Sequence, residues 1–275
     1  MAIITISHQL GSGGADIGMA LAQRLGYRYV DQELIQDAVH RYGLAEDKLS
    51  HLDESKPTLF ERFDAETRHY ITILQTTLLE FAENDNSILM GRGGQWLLRG
   101  IPHVLRVRAI APFEYRVKQW IKRTAEVTGE SPNHRAAADF VRRDDAEKAG
   151  RMRYLYEVDV GDPALYDLVV NTEKLSYEAA VEMIEHVVRR PELATSEAGR
   201  KVVAARALAS RVQVALAMHP ETRRYRITVE AHDGVVTLEG TAALEQAVQV
   251  ARGVAGVRDV KTRQLEIPPI PPFVA

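Results

Sequence analysis

The chain has 275 residues, 45% of them hydrophobic and 27% charged, with a net charge of −3. That is a soluble globular composition with room for one large domain or two ordinary ones, and its charge gives no global attraction to nucleic acid. There is no cysteine, which excludes disulfides, thiolate nucleophiles and Cys-ligated metals.

The first stretch carries the most information. A β-branched run, Ile3-Ile4-Thr5-Ile6, leads into Ser7-His8-Gln9-Leu10-Gly11-Ser12-Gly13-Gly14-Ala15-Asp16-Ile17-Gly18. Ile17, Leu21 and Leu25 then recur at helical spacing, Gly26 supplies a stop, and Tyr27 to Val30 reads as a second strand ending in Asp31. Strand, glycine-rich loop, helix and strand form a phosphate-binding βαβ unit, in which loop N–H groups and the helix N-terminus create an anion site. An ordinary tight turn uses glycines too, so the rest of the chain must decide. The chain enters its first strand without a basic leader, and no apolar run reaches membrane-spanning length, so a cytoplasmic protein is expected.

Gln32 to Arg41 reads as a helix, and Gly43 to Pro57 as a polar connection. A long helical pattern runs from about Leu59 to Phe81, stopped by Asn84-Asp85-Asn86. Ser87 to Met90 is a short buried strand followed by Gly91-Arg92-Gly93-Gly94, and His103 to Ala109 is another strand. Ala111-Pro112 opens a helix carrying Arg116, Lys118, Lys122 and Arg123. Asn133 to Tyr156 is helical in tendency and crowded with Arg142, Arg143, Lys148, Arg151 and Arg153. Tyr166 to Val170 is a strand, and Ser176 caps a helix with Ala180, Ile184 and Val187 on its apolar face. Strands alternating with helices predict a doubly wound parallel sheet.

From Pro191 to Glu197 the pattern breaks into a linker. Beyond it lie an amphipathic helix (Val203 to Met218) and a strand (Tyr225 to Ala231). Asp233-Gly234 makes a two-residue hairpin turn, and Val235 to Glu239 returns antiparallel. A helix (Leu244 to Val254) and a last strand (Val257 to Ile267) complete a small α+β module with a mostly antiparallel sheet. A proline-rich tail follows. The expected domains are 1–190 and 198–268, with a linker at 191–197 and a tail at 269–275.

With Gly91-Arg92-Gly93, the Ala111-Pro112…Arg116 helix and the Arg142 to Arg153 cluster behind the loop, residues 1–190 resemble the cytidylate kinase-like family of P-loop nucleoside monophosphate kinases. The hairpin His232 to Gly240 and the return Gly253-Val254-Ala255-Gly256-Val257 resemble a BON domain. The first resemblance implies transfer of the γ-phosphoryl of ATP to a (d)CMP-like nucleotide with Mg²⁺, by positioning and charge stabilisation. It implies that Gly11, Ser12, Gly13 and Gly14 hold the phosphates. Asp31 would act at the reacting phosphates and Arg92 would hold the acceptor phosphate. Arg143 and Arg151 would stabilise developing charge, with Arg142 and Lys148 binding substrate. The second resemblance implies a partner protein or lipid, and a homo-oligomer stays open.

Two departures qualify this. The loop lysine of the family falls on Gly14, next to Ala15, and the Mg²⁺-binding Ser/Thr falls on Asp16, whose carboxylate could take the metal. Gln36 and Asp37 stand where true cytidylate kinases carry a Tyr-Arg pair. A nucleotide sensor or scaffold whose degenerate loop binds without transferring is therefore a second reading. Nucleic-acid binding by the basic helix is a third, poorly supported one. Each residue also has a plainer use: Asp31 as a helix cap, Arg92 as a surface ion pair, the basic helix as solvated surface. His8 and His134 read as ordinary polar surface residues, and no spacing suggests zinc.

Overall fold

A computed structural model describes residues 2–31, 38 and 65–265. Apart from Ala38, the expected Gln32 to Arg41 helix lies outside the described residues, as do the Gly43 to Pro57 connection and the proline-rich tail.

The first strand, β1 (Ile3–His8), is central to a five-stranded sheet. It is followed by α1 (Gly14–Leu25) and β2 (Arg28–Val30). Next come α2 (Ala65–Ala82), β3 (Ser87–Met90), the single turn α3 (Gly94–Leu97) and β4 (Val104–Ile110). Then follow α4 (Phe113–Thr128), α5 (His134–Tyr156), β5 (Leu168–Asn171) and α6 (Tyr177–Val188). The strand order is β2-β3-β1-β4-β5, and every pairing is parallel. Ile4, for instance, lies between Ile88 and Leu105.

The β-branched run of β1 is explained by its place. Ile3, Ile4 and Ile6 are fully buried, because a central parallel strand has helices on both faces. On one face Ile3 joins Ile73, Leu78 and Leu98. On the other, Ile4 and Ile6 meet Ile17, Leu21 and Ile184. A parallel sheet brings all carboxyl ends to one edge, so His8, Asp31, Gly91 and Ala111 begin their loops together. In such sheets ligands bind beyond the carboxyl ends, where the strand order reverses.

The second unit begins with α7 (Glu197–Met218), six residues earlier than its apolar pattern predicts, because Ser196 caps it by accepting from the Gly199 N–H at 3.0 Å. Strands β6 (Thr228–His232) and β7 (Val235–Gly240), helix α8 (Leu244–Arg252) and strand β8 (Asp259–Gln264) follow. The β6–β7 hairpin turns through Asp233 and Gly234 at φ 45° and 80°, the positive values its sequence predicts. β8 pairs parallel to β7, so the sheet is evenly mixed and not mostly antiparallel. Helix α8 carries the chain back to start β8 at the same end as β7, which imposes the parallel pairing.

Helix α7 is apolar on two sides. Val203, Ala207 and Val214 pack into the cluster of Ile73, Leu74 and Leu78 from α2. Leu208, Val212 and Leu216 pack with Val236, Leu238 and Ala247 of the small sheet and α8.

Candidate functional site

The loop after β1 is held in shape from within. The Ser12 N–H donates to the Gln9 carbonyl at 3.1 Å. Its hydroxyl reaches the carbonyls of Gln9 and Ala109 at 2.7 and 3.2 Å, and Thr172 Oγ1 donates to the Ser12 carbonyl at 2.9 Å. Ser12 is thus buried and spent on the loop's own geometry. Gly11 and Gly13 adopt φ of 79° and 76°. A Cβ at Gly13 would enter the Tyr177 ring, and one at Gly14 would collide with the His8 side chain. The N–H groups of Gly11, Gly13 and Gly14 have no hydrogen bond to a described residue, which leaves them and the start of α1 for an anion.

Arg116 fastens this loop to the helices beside it. Its guanidinium is buried and donates to the carbonyls of Ala111 and Leu10 at 3.0 and 3.3 Å. It also grips Asp145 of α5 with two bonds of 3.1 and 2.8 Å. The sequence marks Arg116 as part of a basic helix; only the structure shows it as the pin between loop, α4 and α5.

At the ends of β2 and β3, Arg92 donates to Asp31 Oδ1 at 3.1 Å, and Tyr29 OH donates to Asp31 Oδ2 at 3.4 Å. Burial, and then the Asp31 carboxylate, push the Tyr29 phenol up to about 12, so it stays a donor. Gly91, Arg92 and Gly93 all have left-handed backbone, at φ 63°, 56° and 77°. For arginine that conformation is costly, and such strain collects at working sites.

Helix α5 divides the residues of its basic cluster by face. Lys148 Nζ donates to the His8 carbonyl at 3.4 Å and pairs with Asp144 at 3.0 Å. Arg151 and Tyr156 line a small cleft with Arg92 and with Leu74 and Gln75 of α2. Gln75 donates to Tyr156 OH at 3.2 Å. Arg142 instead pairs with Asp139 at 3.0 Å and lies 4.8 Å over the Phe113 ring, while Arg143 lies 5.2 Å over exposed Phe140. The structure therefore brings Asp31, Arg92, Lys148 and Arg151 to one end of the sheet and leaves Arg142 and Arg143 on another face.

Asp16 sits in the first turn of α1, with both oxygens 2.7 Å from one nitrogen of Arg123. That bond raises the Arg123 pKa further. His134 pairs with Glu114 at the exposed surface, as an ordinary polar residue would. His8 does not fit that description. It ends β1 inside the loop, with Nδ1 buried and, among the described residues, without a hydrogen-bond partner. A histidine where a loop glycine is usual was the sequence signal.

A parallel sheet in this order, with a glycine loop leaving its central strand and a basic helix across its carboxyl ends, is a P-loop kinase fold. The chain belongs to the cytidylate kinase-like family, whose model matches residues 3–174, and a BON domain follows at residues 205–269. The cytidylate kinase of Staphylothermus marinus is 27% identical over 191 residues, which are 69% of this chain and 98% of that protein. That of Ignicoccus hospitalis is 28% identical over 189 residues, 68% of this chain and 99% of its own length. Among solved structures, an uncharacterized protein from Eubacterium ventriosum superposes with a TM-score of 0.53 at 17% identity, covering 69% of this chain and all (100%) of that one.

Proposed function

We propose that the protein transfers the γ-phosphoryl group of ATP to a (d)CMP-like nucleoside monophosphate, with Mg²⁺. The observation that carries this reading is Arg92, held in left-handed backbone between two glycines and bonded to Asp31, in the same cleft as Arg151. A surface arginine needs no such backbone.

The N–H groups of Gly11, Gly13 and Gly14, unbonded among the described residues, bind the donor phosphates. Arg92 binds the acceptor phosphate, and Asp31, fixed beside it, would orient Mg²⁺ or a water at the reacting phosphates. Lys148 and Arg151 place positive charge where negative charge grows in the transition state. Mg²⁺, when bound, shields the phosphate charge. It is usually held by one or two carboxylates together with phosphate and water, and Asp31 and Asp16 supply that number. Asp31 Oδ2 accepts from the Tyr29 hydroxyl at the long distance of 3.4 Å, whereas both Asp16 oxygens are 2.7 Å from Arg123. Asp31 is therefore the preferred ligand and Asp16 the secondary one.

A second reading, nucleotide sensing without transfer, is favoured by the loop itself. Gly14 and Ala15 supply no cation, and the His8 side chain leaves no room for a side chain at position 14. A panel of nucleoside monophosphates incubated with ATP and Mg²⁺ separates the two. Diphosphate formed from a pyrimidine monophosphate is expected. Binding of ATP without transfer to any member of the panel would replace the kinase reading by the sensor.

No helix among the described residues is long and apolar enough to cross a membrane. We place the protein in the cytoplasm and assign the BON domain a partner protein or a lipid.

A further inference from the structure

One ring in the loop, that of His8, takes no part in the backbone's phosphate contacts. His8 runs beneath the first residue of α1, close enough that Gly14 can carry no Cβ. Nδ1 is buried without a hydrogen-bond partner among the described residues, yet the residue keeps part of its surface open to solvent. Cations approach it from three elements. Lys148 of α5 reaches its carbonyl at 3.4 Å, and Arg92 comes from the turn after β3. Arg108 comes from β4, held by Ser7 Oγ at 3.2 Å and Tyr166 OH at 2.8 Å. Among the described residues, the carboxylates at this end are already engaged: Asp144 by Lys148, Asp31 by Arg92 and Asp16 by Arg123.

We propose that His8 is a phosphate-binding residue, which takes up a proton as a nucleoside triphosphate enters the loop and donates it as a hydrogen bond to a phosphate oxygen. The inference rests on the phosphate-site reading of the loop. The proton comes from solvent and forms one N–H bond on the imidazole; no other bond is made or broken. Among the described residues, an imidazolium here would face three cations, and the nearby carboxylates are already paired with cations, so it is unfavourable. In keeping with this, burial first, and then Lys148, Arg92 and Arg108, hold His8 down to about 3. A triphosphate brings several negative charges into the same space and reverses the local field, which favours the charged ring. The charge missing at Gly14 then arrives with the ligand instead of standing there permanently. An empty loop is spared a fixed cation beside three others, and a filled one gains a donor.

The test is calorimetry of the full chain at pH 6.5 with the β,γ-methylene analogue of ATP and Mg²⁺, in two buffers of unequal ionisation heat. The wild-type chain should absorb about half a proton or more per nucleotide bound, and His8→Gln close to none. As the pH rises toward the bound-state pKa, wild-type affinity should fall by up to about tenfold per pH unit and level off above it, while that of His8→Gln stays level throughout. Binding with the same proton count in both proteins overturns the proposal and leaves the phosphate site standing. No binding by the wild type overturns the phosphate site and the proposal with it. Should His8→Gln fail to fold, the His8 ring resonances of the wild type decide. They should move to the imidazolium position when the analogue is added at pH 6.5, and a ring that stays neutral overturns the proposal.

Discussion

Helices α5 and α7 both lie against the α/β body, but different forces fasten them. Helix α7 is held by apolar burial: Val203 and Ala207 are almost or wholly inaccessible against α2, and Leu208 and Val212 against the small sheet. Its polar contacts serve as fasteners: Thr76 and Ser210 share a hydrogen bond of 2.5 Å, Arg206 donates to the Leu97 carbonyl at 2.8 Å, and Arg211 pairs with Glu83 at 2.8 Å. Helix α5 buries a small patch, Ala137, Ala138 and Val141, against Val117 of α4. It meets the loop and the strand ends through charge, in the Arg116–Asp145 pair and the Lys148 bond to His8. Salt does not screen apolar burial, while a charged clasp is screened by salt and rearranged by a bound anion. The seam at α7 is built to stay and the clasp at α5 to respond.

The largest effect should come from removing the seam. A chain ended at residue 192 loses all of α7 and uncovers Ile73, Leu74 and Leu78, which it helps to bury. Each large apolar side chain contributes about 1.5–3 kcal/mol when fully buried, so the loss is several kcal/mol. The shortened chain is expected to unfold many degrees below the first transition of the whole protein in a thermal scan. An unchanged transition would show that the nucleotide-binding half is complete by residue 190, with the helix merely resting on it.

The clasp is tested by two arginines on one helix. Arg151→Ala should lower kcat for monophosphate phosphorylation about a hundredfold, the usual cost of a well-placed charge stabiliser. Arg143→Ala, on exposed Phe140, should stay within about threefold, as exposed charges generally do. Equal losses would mean that α5 turns its other face to the site on closing. A third substitution, Arg92→Ala, should mainly raise KM for the monophosphate, because ground-state positioning and transition-state stabilisation appear in different constants.

The same contrast explains what could be read from the sequence. The parallel sheet was legible because a strand buried on both faces must be β-branched along its length, as Ile3 to Ile6 are. The glycine loop was legible because backbone at φ near 80° excludes most side chains. Charge density announced α5 as a helix, but periodicity says only which residues share a face, not what lies opposite. Lys148 and Arg151 could not be told from Arg142 and Arg143 on that ground. Its place after the linker puts α7 in the second module, although apolar residues on two sides signal a helix covered twice. Arg116 and His8 gave no local sign of burial, because their partners lie on other elements: Leu10 and Asp145 for one, Lys148, Arg92 and Arg108 for the other.

The smallest effect concerns acid, and each region supplies one histidine to it. His103 is fully buried beside α7, where Gly199 leaves no room for a Cβ against its ring, and it stands 3.5 Å from Asp85. Burial lowers its pKa below the ordinary value, and His8 is held down to about 3. In both, the folded pKa lies below the unfolded one of about 6.5. The unfolded chain therefore binds more protons as the pH drops below that value, and stability is full above it and lost on acidification. Each group contributes no more than about 1.4 kcal/mol per pH unit. His8 contributes less than that ceiling because part of it is open to solvent. Thermal scans from pH 7 to pH 4.5 should show a falling transition that His8→Gln flattens. Saturating Mg²⁺ and ATP analogue should flatten it in the wild type too, since a bound phosphate lets His8 take its proton while folded. The His103 share belongs to the apolar seam and should persist with nucleotide bound. A transition whose acid slope is untouched by either His8→Gln or nucleotide would place the acid sensitivity in the seam alone.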